Sequence, residues 1–106
     1  RQTNRTHKVY TIESGGRKIG IDYDDILFFE TSANIHKVIL HAKDRQIEFF
    51  STIKELTNTL GGDFVRCHRS FLVNKKNIKE VDTKKRIIHF ANGETCLMST
   101  RMMKGL

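Results

Sequence analysis

Short β-type runs, each closed off within a few residues by turn chemistry, fill most of this chain and restrict it to antiparallel sheet. Turns of two to five residues can join antiparallel neighbours, whereas parallel strands need crossovers of a dozen residues or more. Residues 8–14 (KVYTIES) and 17–22 (RKIGID) flank Gly15-Gly16 and read as a hairpin. After an interruption at 22–25 comes an apolar strand at 26–31 (ILFFET), a loop at 32–35 and a returning strand at 36–41 (HKVILH). A polar turn, Lys43-Asp44-Arg45, leads into 46–50 (QIEFF). Thr52-Ile53-Lys54-Glu55 then has the spacing of a helix-opening capping box, and Ile53, Leu56, Thr57 and Leu60 fall on one face before Gly61-Gly62 stops the run. Further strands are expected at 64–68, 71–73, 78–82, 86–90 and 95–98, with Asn92-Gly93 the best type I′ turn candidate. The sum is a mostly β chain of about ten short strands in stacked or curled antiparallel sheets, with one short amphipathic helix packed on them.

At 106 residues the chain is expected to form a single domain, 1–106, with 1–7 as a linker remnant. Seven phenylalanines and 29% charged residues are unlike a disordered composition, and the absence of proline removes polyproline linkers and docking motifs. Nineteen Lys and Arg against twelve Asp and Glu leave 19 − 12 = +7, an excess that suits nucleic acid or an acidic membrane surface. The longest apolar run is the four residues 26–29, far short of a membrane span, so the expectation is a soluble chain. It carries no initiator Met and no secretory leader, as expected of a piece of a longer protein. Two cysteines, Cys67 and Cys96, allow one bridge at most, and a reducing cytoplasm is the expected location.

The densest chemistry lies in residues 64–77, where Phe64, Phe71 and Val73 anchor a segment carrying Arg69, Ser70, Asn74 and Lys75. Those four are donor types that hold phosphates or read base edges, although a solvated basic loop has the same composition. Cys67 and His68 are neighbours on one strand and point to opposite faces, which rules against a nucleophile and base pair. Cys67, His68, His89 and Cys96 lack zinc-ligand spacing, so no metal and no cofactor is expected. Asp22, Asp24, Asp25 and Glu30 make a metal-dependent nuclease the strongest enzyme alternative, weakened by the ease with which Asp serves turns alone. An RNA-binding sheet is the second rival, but no RNP-type aromatic string occurs. A plain protein-interaction module is the third, and it would bind without steep salt dependence.

The string FVRCHRSFLVNKKNI at 64–78 resembles the signature of LytTR-type DNA-binding domains, the output modules of AgrA-like response regulators. The likeness extends through YDDILFFET at 23–31, His36 before its strand, RQIEFF at 45–50, KEL in the helix and STRMMK at 99–104. It implies about ten strands in three antiparallel sheets, an elongated β-β-β sandwich, and DNA read through loops without a recognition helix. By position it implies that His36 and Arg101 touch base edges in the major groove. Arg69 takes the third such place, where AgrA-like chains carry Asn, so base preference is expected to differ. Ser70, Arg86, Ser99 and Lys104 match backbone-contact positions. The resemblance further implies a non-enzymatic regulator of quorum-sensing type that reads direct repeats in promoter DNA. It implies a homodimer on that DNA, assembled by a receiver domain elsewhere in the full-length protein. From their placement toward the same end of the chain, Cys67 and Cys96 are a candidate redox pair, against the simpler reading of inert buried thiols.

Overall fold

The computed structural model describes residues 8–101. Ten strands and one helix follow in the order β1 (Val9–Ser14), β2 (Arg17–Asp22), β3 (Ile26–Thr31), β4 (Lys37–Ala42), β5 (Gln46–Phe50), α1 (Ile53–Leu60), β6 (Phe64–His68), β7 (Phe71–Asn74), β8 (Ile78–Asp82), β9 (Ile87–Phe90) and β10 (Thr95–Leu97). All pairings are antiparallel. Three sheets result: the β1-β2 hairpin, a five-stranded sheet ordered β5-β4-β3-β7-β6, and a three-stranded sheet ordered β10-β9-β8. The mostly β, three-sheet architecture expected above is the one observed.

The five-stranded sheet sits between two cores. On one face Phe29, Leu40, Phe49 and Leu72 meet the hairpin residues Ile12 and Ile21 and the helix residues Ile53, Leu56 and Leu60. On the other, Leu27, Phe28, Val73 and Cys67 meet Ile88, Phe90, Cys96 and Met98 of the small sheet and its flank. Being covered on both faces is why β3 is apolar without alternation. A register irregularity between Ile26 and Phe28 also lets the neighbours Leu27 and Phe28 enter the same core.

The local chemistry works with two amendments. Thr52 caps α1 by accepting from the Glu55 backbone N–H at 3.1 Å, while the Glu55 carboxylate accepts from the Thr52 hydroxyl at 3.4 Å instead of closing a reciprocal backbone bond. Gly15 and Gly16 both have positive φ, as a type I′ hairpin requires, whereas at the other hairpin only Gly93 does. There Gly93 N–H donates to Phe90 O and Phe90 N–H to Glu94 O, giving a three-residue loop 91–93 in place of the expected type I′ turn.

Candidate nucleic-acid interface

Strand polarity decides which loops meet. β3 ends and β4 begins at the edge where β5 and β6 end and β7 begins, so the loops 32–36, 51–52 and 69–70 crowd one end of the five-stranded sheet. Thr31 N–H donates to Ser70 O at 2.9 Å and fastens two of them together. The small sheet adds the 83–86 turn and the 98–101 segment to the same end, because Ser99 N–H donates to Cys67 O at 2.7 Å and Met98 N–H to Arg86 O at 3.0 Å. His36, Arg69, Arg86 and Arg101 are all exposed there.

Each loop is held from behind. In the first, Ser32 Oγ and Asn34 Nδ2 both donate to Glu48 Oε2, the latter at 2.9 Å. These hydrogen bonds hold the Glu48 carboxyl below its usual range. Asn34 N–H donates to Ser32 Oγ, and Ser51 N–H to His36 O at 3.1 Å. In the second, the Arg66 guanidinium donates to Arg69 O at 3.0 Å, and Ser70 N–H to His68 Nδ1 at 3.1 Å. In the third, Arg86 donates to Thr100 Oγ1 at 3.2 Å. His36 and Arg86 have φ of 63° and 57°, and they are the non-glycine positive-φ residues among those described. Such conformations persist where surrounding bonds over-determine them, which is the case at functional sites. Glu48, Arg66 and Thr100 were not singled out from the sequence, since their partners come from other strands or loops.

Two expected contacts do not belong with the others. Asn74 is 1% exposed; its Nδ2 donates to Tyr23 O and Ile26 O, and its Oδ1 accepts from Lys76 N–H. Those bonds occupy the side chain inside the fold, so Asn74 is a structural bracket and not a phosphate contact. Lys75 is exposed, but it follows the far end of four-residue β7, roughly 13 Å of strand away from the Arg69 turn. Lys104 lies outside the described residues.

The rival readings lose their geometry. Asp24 faces Lys76, Asp25 faces Lys43, and Glu30 is engaged by His41, so the four carboxylates of the nuclease alternative do not converge. Among the described residues no group of three or more His, Cys, Asp or Glu side chains is placed to hold a metal ion. For an RNA platform the aromatics are wrongly placed: Tyr10 packs edge-on against Phe29 and Tyr23 against Phe64, leaving Phe50 exposed under the Lys37 ammonium. Cys67 and Cys96 are free and buried, the Cys67 thiol donates to Leu97 O at 3.3 Å, and the Cys67 side chain together with burial pushes the Cys96 thiol well above the usual range. A half-buried cluster not anticipated from sequence joins the sheets: buried His41 stacks on Phe28 and places Nε2 2.5 Å from Glu30 and Nδ1 2.7 Å from Glu94.

A β scaffold that ranges basic loops along one end, with the one α-helix of the described residues packed against the sheet, presents a cationic edge of the kind that binds a polyanion. The family model described as the LytTr DNA-binding domain matches residues 16–106, and the chain belongs to that family. Accessory gene regulator protein A from Staphylococcus epidermidis and from Staphylococcus aureus is 45% identical over 103 residues in each case, covering 95% of this chain and 43% of the relative. The chain therefore spans less than half the length of these curated relatives. A solved structure described as the LytTr DNA-binding domain of a methyl-accepting/DNA response regulator from Bacillus cereus superposes with a TM-score of 0.77 at 26% identity, covering 92% of this chain and 91% of that one. DNA binding is thus the function that the family assigns to this domain.

Proposed function

We propose that the chain is the DNA-reading half of a cytoplasmic two-component response regulator, and that it binds direct repeats in promoter DNA as side-by-side copies brought together by a receiver domain. His36, Arg69 and Arg101 read base edges in the major groove. Arg donates bidentately to guanine O6 and N7, and His donates or accepts according to its tautomer. Ser70, Arg86, Ser99 and Lys104 hold phosphates and set register without conveying sequence. The domain acts by binding and carries no catalysis. The observation that supports this most is the gathering of three braced basic loops at one end of the sheets.

Selecting duplexes from a random pool tests the proposal, with affinity then measured across salt. Recovery of a repeated element bound with a steep negative salt slope is expected. Failure to retain any duplex in a salt-sensitive way overturns the reading, and tight binding to unrelated sequences alike removes its base-reading part.

A further inference from the structure

Ile35 is 79% exposed, the most exposed of the large apolar side chains described, and it stands at the turn tip immediately before His36. Among the described residues nothing covers it, and the turn that presents it is braced by hydrogen bonds. Glu48 clamps Ser32 and Asn34, Lys37 N–H donates to Asn34 O at 3.2 Å, and Ser51 N–H fixes the His36 carbonyl. An apolar group held out in advance on a basic loop needs little further ordering on binding, so its contact energy is largely retained.

The environment narrows what it can meet. His36 and Lys37 follow it directly, the Lys37 ammonium lies 4.7 Å above the Phe50 ring, and the loop shares its end of the sheet with Arg69 and Arg86. A surface of that charge is suited to a polyanion, and the major groove of a duplex offers one prominent apolar feature, the 5-methyl group of thymine. Resting on the reading that this loop enters the major groove, we propose that Ile35 is a specificity-determining residue that packs against a thymine methyl next to the base read by His36. The chain would then favour thymine over deoxyuridine at one position, a discrimination that hydrogen bonding by His36 cannot make.

The test uses the duplex recovered by selection with this chain. Each thymine is replaced in turn by deoxyuridine, which deletes the methyl and keeps every hydrogen-bonding group. One replacement, beside the base pair whose preference is lost in His36→Ala, should weaken binding about fourfold, the worth of one buried methyl-sized group. Ile35→Ala should bind the thymine and deoxyuridine duplexes equally while keeping the preferences set elsewhere in the site. Because the side chain is exposed, that variant keeps its fold, and its urea midpoint should equal that of the parent. Indifference of the parent to every replacement, absence of thymine from that part of the recovered site, or an unchanged thymine to deoxyuridine ratio in Ile35→Ala would overturn the inference and leave duplex binding intact. Loss of all duplex binding by the parent would instead remove the underlying reading.

Discussion

Replacing Asn74 with alanine separates structural bracing from DNA contact. The amide joins three points of backbone: Tyr23 O at 3.1 Å, Ile26 O at 2.9 Å and Lys76 N–H at 3.1 Å. Each intramolecular bond contributes about 1 kcal/mol net, and more where its loss strands a buried partner. Here the partners are backed up, since Ile26 O also accepts from Asn77 Nδ2 at 2.7 Å and Tyr23 O from the Ile26 N–H. Lys76 is exposed, so water can replace its lost acceptor. The expected loss is therefore about 2 to 3 kcal/mol, no more than three ordinary bonds at about 1 kcal/mol each. With a urea slope of roughly 1.5 kcal/mol per molar, the midpoint should fall by about 1.3 to 2 M, read by far-ultraviolet circular dichroism. Under native conditions the affinity for duplex DNA should stay near that of the parent. A midpoint change below about 0.5 M would refute the bracing role, and an equal loss of affinity for every duplex would show that Asn74 contacts the DNA backbone after all.

Arg101→Ala should weaken cognate binding by about 1 to 3 kcal/mol and relax one base pair, whereas Arg86→Ala should weaken all duplexes alike and flatten the salt slope by about one unit. Equal losses on cognate and scrambled DNA for Arg101→Ala count against base reading. His41→Ala strips the shared partner from Glu30 and Glu94 between two sheets and should destabilise by about 2 to 4 kcal/mol. Adding Glu30→Gln and Glu94→Gln should recover part of that loss, and no recovery would mean that the cost is packing on Phe28. Burial, and then the Tyr23 and Glu55 charges, raise the Tyr10 hydroxyl above its ordinary 10.0. Folding therefore favours the protonated phenol: its contribution is complete below the unfolded value and is lost as pH rises through the higher folded one. Tyr10→Phe should reduce the alkaline fall in urea midpoint, and an identical fall would dismiss the effect. If Cys67 and Cys96 act as a redox pair, peroxide should convert both thiols to one disulfide with release of two waters, remove two titratable thiols and weaken DNA binding through the Ser99 to Cys67 link. Unchanged thiol count and affinity would return them to inert core residues.

Much of the site's chemistry, though little of its geometry, can be read along the chain. Arg69 and Ser70 stand in a short turn between two strand-like runs, and the basic residues around them point to a polyanion without any fold. Asn74 has the same donor chemistry and adjoins the same segment, yet its strand turns it inward beneath Tyr23 and Ile26, residues about fifty positions away. Glu48 was invisible for the converse reason. Within β5 it is one polar residue between Ile47 and Phe49, and only the pairing of β4 with β5 carries it beneath the 32–36 loop.

The local features were set by the residues themselves, because a glycine pair, a capping threonine or a β-branched run acts through neighbours a few bonds away. Hence the ten strands, the helix at Ile53–Leu60 and the Gly15-Gly16 turn are legible in the sequence alone. Which strands share a sheet was decided by pairings such as Phe28 with Val73, closed across a long stretch of chain by burial on two faces. That same non-local packing broke the alternation at Leu27 and Phe28 and assembled His36, Arg69 and Arg101 at one end, since the side chains that cover a strand come from distant parts of the sequence.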